Sequence, residues 1–544
     1  MRRRTRAIAL AASTMVECAL ASTFALSCSS NDDAQPGGSS GSSGSATSQG
    51  GTSGAAGGAA AGGATAGGSG KNGGTSGSAG GGARSGAGTG AGRAGSAGAN
   101  GGSSALGGTS GSESTGEAGA AGAAGGGEAT TLCDANCHYV RADGTGDGSS
   151  WANAASALPA TLTRGHVYFV ARGTYPGHDF DDAPSGELRI RIVRATPDDH
   201  GTSDGWEDSY ADRESVFGEL DFRQSGYDFE GRGAVRAVGN FQGTVVRVAG
   251  DGTHFSGVDV DGAFLMSGGL HTGGACTGME ISGNDVVVRG NRVHDIADDG
   301  VVVGGNERLL FEGNEIDSLY GCGTDGDCGP CDNGHSDGLE IYAVHDSQFV
   351  GNFAHDIAST STFFFGNWAD ELGDGPADYC ENILLANNVL YNPDTGFVAY
   401  LEDVRGVTLV GNTIWSAHQE RYDGLAIGVN VSGLDIYDNV ILSINYEHLA
   451  STFNPSEHHG DYNLFGVSLD QWTNAGHDVV ALDPGFTAIP DADGAKVEGP
   501  LPADFTPTAT SPLRGAGTSD APGFPARDFF GTLRPSPPAI GAIE

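Results

Sequence analysis

The chain is 544 residues long and carries 68 Asp and Glu against 27 Lys and Arg, a formal net charge of −41. After residue 128 the imbalance is 62 acidic residues to 20 basic ones. A surface of that sign argues against nucleic acid or anionic membrane as partner and favours bound cations such as Ca²⁺, although it also serves solubility alone.

Arg2, Arg3, Arg4 and Arg6 precede a mostly apolar stretch from Ala7 to Leu26, the pattern of an export signal. It ends Ala25-Leu26-Ser27-Cys28, which resembles a bacterial lipobox and implies lipidation of Cys28. Ordinary signal-peptide cleavage nearby is the alternative. Residues 29–128 are nearly all Gly, Ala and Ser, too poor in apolar surface to repay the entropy of ordering. They are expected to form a tether, with an r.m.s. span of roughly 50–60 Å. Domain boundaries follow at 1–28, 29–128 and 129–544. No later stretch has the apolar length of a membrane helix, so contact with a membrane is expected only through the lipid.

From residue 286 a short phrase recurs. Val286-Val287-Val288-Arg289-Gly290-Asn291-Arg292-Val293 is echoed by Leu309-Leu310-Phe311-Glu312-Gly313-Asn314-Glu315-Ile316, and again around Asn352, Asn388, Asn412, Asn439 and Asn463. A second marker, Gly278, Gly300, Gly338, Gly396 and Gly424, opens an apolar strand 13 to 16 residues before the next repeat asparagine. Two markers in phase predict a solenoid of short strands and tight turns. The asparagines should stack in a ladder. The residue two beyond each (Val293, Ile316, Ala354, Leu390, Ile414, Ile441) should point into the core, and the residue three beyond should point out.

This G-N-x-[IVL] frame resembles the right-handed parallel β-helix proteins of the pectate-lyase-like superfamily. Tyr139-Val140-Arg141 with Gly144 to Ala152, together with Gly173-Thr174-Tyr175, looks like their entry cap. Asp528-Phe529-Phe530-Gly531-Thr532-Leu533-Arg534 with Ile540 to Glu544 looks like their ending. The resemblance implies an all-β, single-stranded right-handed parallel β-helix over about three quarters of the chain, acting on polysaccharide in a groove along one sheet.

The outward positions after the ladder are His294, Asp317, His355, Tyr391, Trp415 and Leu442. As an outer column, His294, His355, Tyr391 and Trp415 suit sugar binding, with a plain solvated face as the alternative. The residues before the phase glycines are Thr277, Asp299, Asp337, Thr395 and Asp423. Asp299 and Asp337 fall on neighbouring coils, with Glu340 close by and His335 just ahead. That cluster reads as acid and nucleophile for glycoside hydrolysis, as Ca²⁺ ligands against a uronate, or as turn caps. The insertion 321–333 adds Asp325, Asp327 and Asp332 as metal candidates, and a second insertion, Phe363 to Asp378, is expected to wall the same groove. Lys71 and Lys496 are the only lysines, so a base would be His335, or else His355 or His294, with Arg421 holding a substrate carboxylate.

Seven cysteines follow residue 129. Outside the cytosol disulfides are the default: Cys133 with Cys137, and Cys276 or Cys380 as distant partners of the Cys322, Cys328, Cys331 group. A zinc site from Cys328, Cys331 and His335 is the alternative. The sequence therefore predicts an exported, surface-held, monomeric β-helix acting on extracellular polysaccharide as a lyase, epimerase or glycosidase. The rival is a non-catalytic carbohydrate-binding adhesin.

Overall fold

The computed structural model describes residues 136–544, except 241–242, 268–269, 321–330, 332–335, 359, 367–378, 393–396, 417–422, 443, 446–457, 467–475, 490–496 and 498. Cys28, the 29–128 segment, Cys133, Asp325, Asp327, Asp332, His335 and Arg421 lie outside the described residues.

The fold is a parallel β-helix whose coils each contribute one strand to three sheets. Among the described residues sheet I has ten strands, from His178–Phe180 to Ile444–Asn445, and includes Thr277–Ile281, Val301–Gly304, Asp337–Tyr342, Ser361–Phe365 and Phe397–Leu401. Sheet II includes Val287–Arg289, Leu310–Glu312, Gln348–Val350, Cys380–Ala386 and Val404–Val410. Sheet III includes Arg292–Ile296, Glu315–Leu319, Phe353–His355, Val389–Tyr391 and Thr413–Trp415. Within all three, the neighbours are parallel, as in Val293↔Ile316, Ile316↔Ala354 and Ala354↔Leu390.

The repeat phrase is explained by the turn between sheets II and III. The residue before each ladder asparagine has left-handed backbone, from Gly290 (φ 63°) and Gly313 (φ 64°) to Gly351 (φ 64°) and Gly411 (φ 65°). Glycine holds that conformation without steric cost. The asparagine then turns its amide along the stack. Asn314 Oδ1 accepts from Asn291 N and Nδ2, both at 3.0 Å. The pattern passes through Asn352, Asn388, Asn412, Asn439 and Asn463 and ends on Asp478, which accepts from Asn463 N at 2.8 Å. All seven asparagines are at most 2 % exposed.

The core follows the two-residue period of strands. Met279, Val301, Leu339, Phe363 and Leu425 fill one inward row of sheet I; Val288, Phe311, Phe349 and Leu385 fill sheet II; and the six predicted residues from Val293 to Ile441 fill sheet III. One expectation fails here. The inward register runs Leu339↔Phe363↔Ala399↔Leu425, so the coils after Gly338 enter at Thr362 and Val398. Gly396 is two residues out of phase, and Phe363 is a core strand residue instead of the start of an insertion.

Cys276 is bridged to Cys331, so Cys331 is not a zinc ligand and that alternative falls. Cys137 is disulfide-bonded too. Cys380 is buried as a free thiol, in the core beneath sheet II.

The C-terminal segment has little regular structure and lies against the outer faces of sheets II and III. Phe486, Ile489, Phe505, Leu513 and Ile540 pack on Tyr391, Trp415, Val440 and Leu442. It docks where the repeat departs from glycine. Asn387 (φ 56°) and Asp438 (φ 57°) occupy the left-handed position in their coils. Asn387 donates to Arg527 O and accepts from Arg534 NH2, and Asp438 Oδ1 accepts from Thr518 N.

Candidate active-site face

Sheet I carries the predicted carboxylates. Asp337 donates its backbone N–H to Asp299 Oδ1 at 2.9 Å, and Asp337 Oδ1 accepts a short bond from the Ser361 hydroxyl. The two aspartates therefore do sit on adjacent coils, 6 % and 3 % exposed. Asp299 thus caps the entry of the next strand, and Asp337 binds the first side chain of the strand after it. The column continues through Ser361 to Phe397 in place of Thr395. Glu340 lies outward, three residues after Asp337, in the row Glu280↔Val302 and Val302↔Glu340↔Phe364↔Tyr400.

Past Glu340 the outward row becomes aromatic. The rings of Phe364 and Tyr400 stack at 5.2 Å with an interplanar angle of 3°, and Phe397 leans on Tyr400 at 5.3 Å. The Tyr400 hydroxyl donates to Glu402 at 2.9 Å. Glycines make room for these side chains: a Cβ at Gly304 would stand 2.3 Å from the Tyr342 ring, one at Gly366 2.7 Å from Phe364, and one at Gly428 2.6 Å from the Tyr400 hydroxyl. Phe364 and Tyr400, 7 % and 9 % exposed, thus form a two-ring shelf with Glu340 in the same outward row and Glu402 on the Tyr400 hydroxyl, while Tyr342 lies over Gly304 on the coil before. At the other end of the row Arg247 and Thr244 bind Glu280 at 2.7 and 2.5 Å. Burial opposes the charge of Glu280, but these bonds prevail and hold its carboxyl below the ordinary value.

The shelf was not singled out in the sequence. Its signal is the x-Gly spacing in Phe364-Phe365-Gly366 and the alternation in Phe397-Val398-Ala399-Tyr400-Leu401-Glu402.

Sheet III presents something different from the expected sugar-stacking column. Along its N-terminal half, outward charges alternate coil by coil: Arg236, then Asp259 and Asp261, then Arg292 and His294, then Glu315 and Asp317, then His355. Arg292 grips Asp317 through two N–H bonds of 2.8 and 2.9 Å. His294 lies between Asp259 (2.9 Å) and Asp295 (2.8 Å), and His355 between Asp356 (2.8 Å) and Glu315 (3.4 Å). Burial pushes both imidazoles down, but the flanking carboxylates outweigh it and lift each to about 9. With both ring nitrogens facing carboxylates, each is an imidazolium at neutral pH. His294 and His355 are therefore poor general bases.

The atoms of Asp261, His294 and Asp295, and those of Glu315, Asp317 and His355, are close enough to hold an ion, within 4.8 Å of one another. Arg236, Arg292 and the imidazoliums already neutralise them. Tyr391 and Trp415 are fully covered by the C-terminal segment, so they are not the open stacking surface expected of them.

The alternating charges make a stability prediction. A group whose pKa is raised on folding stabilises fully below its unfolded value and loses that contribution as pH rises through the folded one. For His294 and His355 the window runs from 6.5 to about 9. The urea midpoint of the chain should fall across that interval. The His294→Gln, His355→Gln double variant should show a flatter profile there, and a wild-type midpoint level from pH 6.5 to pH 9 would refute the assignment.

No family model matches the chain, and no curated protein matches it. Among solved structures, it is similar to pectate lyase Pel9A (17 % identity over 75 % of this chain and 96 % of that one, TM-score 0.44). It is also similar to a rhamnogalacturonan lyase (13 %, 66 % and 95 %, TM-score 0.35) and to the catalytic unit of a GH87 alpha-1,3-glucanase from Streptomyces thermodiastaticus (14 %, 63 % and 68 %, TM-score 0.27). At these identities the likeness is one of fold.

Proposed function

We propose that the outer face of sheet I binds an extracellular polysaccharide and that the chain acts on it as a lyase, epimerase or glycosidase. The supporting observation is the stacked pair Phe364 and Tyr400 in the outward row of sheet I, with Glu340 in the same row and Glu402 bonded to the Tyr400 hydroxyl. Flat rings take the apolar faces of pyranose rings, and carboxylates beside them accept the sugar hydroxyls or exchange protons with the glycosidic bond. Glu340 is the leading acid or base, because Asp299 and Asp337 are engaged in capping strands. His335 is the candidate second group and Arg421 the candidate substrate ligand. Ca²⁺, with Asp325, Asp327 and Asp332 among its candidate ligands, would offset the carboxylates if the sugar is a uronate. Export, lipidation of Cys28 and the 29–128 tether would place the domain above a cell surface.

The second reading is a non-catalytic carbohydrate-binding adhesin. It is favoured by the capping bonds of Asp299 and Asp337, which give those residues a structural task.

The test incubates the chain, with and without Ca²⁺, on uronate and neutral polysaccharides, following both the ultraviolet absorbance of unsaturated products and new reducing ends. Glu340→Gln and His335→Ala should abolish product while Tyr400→Ala weakens binding. Absorbance with reducing ends would mean elimination; reducing ends alone would mean hydrolysis. Binding without either product, lost in Tyr400→Ala, would leave epimerisation to be read from the sugar composition and otherwise establish the adhesin. No binding to any glycan would sink the proposal.

A further inference from the structure

We propose that a cleft at the N-terminal end of sheet III binds a small oxyanion: the carboxylate of an acidic sugar, or an inorganic oxyanion of similar shape. The cleft lies beside strands Gly173–Thr174 and Ser215–Phe217. It has a volume of about 420 Å³, and its lining includes Arg141, Arg172, Arg213, Tyr210, Thr174 and Glu214. Three arginines on one cleft stand out in a chain with only 20 basic residues after residue 128.

The carboxylates here are already matched. Asp143 lies 2.7 Å from Arg141 Nε, Asp212 3.0 Å from Arg172, and Glu214 3.5 Å from Arg236. Arg141 also donates to the Tyr210 hydroxyl, which fixes its guanidinium against the wall. Arg213 is exposed and has no ion pair or side-chain hydrogen bond among the described residues.

Behind it stands a second uncompensated cation. Arg194 is 1 % exposed, and its N–H groups bond carbonyls only: Arg213 O and Ala195 O at 2.6 Å, Val170 O at 3.2 Å and Ala234 O at 3.4 Å. Burial pulls its pKa down, the mark of a charge without a counter-charge in contact. The bond to Arg213 O also sets the backbone from which Arg213 projects.

An exposed guanidinium without a partner on the lining and a buried one bonded to the backbone behind it favour an anion in this cleft of an otherwise acidic molecule. Guanidinium forks recognise planar carboxylates and tetrahedral oxyanions through paired N–H bonds. The volume lies within the range of small-ligand sites and can hold a single sugar ring. The cleft is on sheet III, so it stands or falls independently of the polysaccharide face on sheet I.

The experiment titrates the full chain with galacturonate, inorganic sulfate, inorganic phosphate and, as a neutral control, galactose, following amide shifts or heat. Saturable binding of the anions is expected with Kd of about 1–10 mM, weakening at least about tenfold in Arg213→Ala. The melting temperature of that variant should be unchanged, since the Arg213 side chain has no partner among the described residues and its carbonyl, which Arg194 binds, is kept. Galacturonate tighter than the inorganic ions would identify a sugar acid as the ligand; equal affinities would identify a general oxyanion site. The proposal is overturned if no anion saturates, if Arg213→Ala binds as the parent does, or if galactose binds as well as galacturonate.

Discussion

Replacing Asn352 by alanine is expected to destabilise the chain by about 3–5 kcal/mol, among the largest effects a single substitution can produce here. Asn352 Oδ1 accepts from Asn314 N (3.0 Å) and Nδ2 (3.2 Å), while its Nδ2 donates to Phe311 O (3.0 Å) and Asn388 Oδ1 (2.9 Å). The side chain is sealed from water. Alanine would therefore remove the partner of Asn314 N–H, of one Asn314 amide N–H and of Phe311 O, while Asn388 Oδ1 keeps the Asn352 main-chain N–H, and each buried orphan costs about 1–3 kcal/mol before relaxation. Asn352→Asp is a sharper probe. It keeps the acceptor but brings a carboxylate against Asn388 Oδ1 and Phe311 O, so its deficit should grow as pH rises above the carboxylate range. Urea unfolding of both variants decides the matter. A change below about 1 kcal/mol for alanine would mean the ladder is decoration on a stack held by its core alone.

Trp415→Ala is expected to cost a similar amount, about 3–5 kcal/mol, and to release the C-terminal segment before the solenoid melts. Trp415 is fully buried and meets Phe486 edge-on at 6.1 Å. Around it Leu513, Ile540 and Ile543 belong to the segment, and Tyr391, Val440 and Leu442 to the coils. Removing the indole empties the centre of that layer. Limited proteolysis should then cut the C-terminal segment at protease levels the parent withstands. The same variant discriminates between the two roles of this residue. A sugar-stacking tryptophan would lose affinity at constant stability, whereas a tryptophan under the segment loses stability first.

These two residues also mark how far the sequence could be read. The ladder was legible because its cause is local: a left-handed turn residue followed by an amide, at a nearly constant interval, projects the same way in every coil. Inward residues such as Ile316 and Leu390 follow from it by counting. The shelter over Tyr391 and Trp415 was not legible, because it is made by contacts such as Tyr391 with Val497 and Asn387 with Arg534. No periodicity connects segments so far apart in the chain. Asn387 and Asp438 did depart from glycine in the repeat, yet only the docked segment explains why. Asp299 and Asp337 were placed on neighbouring coils correctly, since register is a matter of spacing. Their use as strand caps depends on the direction of one side chain, which spacing does not fix. The imidazolium state of His294 and His355 depends on residues from three coils and could be recognised only after those coils were stacked.

The end of the ladder governs the length of the solenoid. Each asparagine accepts from the coil before and donates to the coil after, so the motif is directional and could in principle add coils without limit. Asp478 closes it: the carboxylate accepts from Asn463 as an amide would, but it has no N–H to hand on. A second molecule arriving at that end would find the relay already terminated. Exchanging one nitrogen for one oxygen at the last rung thus stops the relay at a defined coil, at the open end where an exposed strand edge would otherwise invite further pairing.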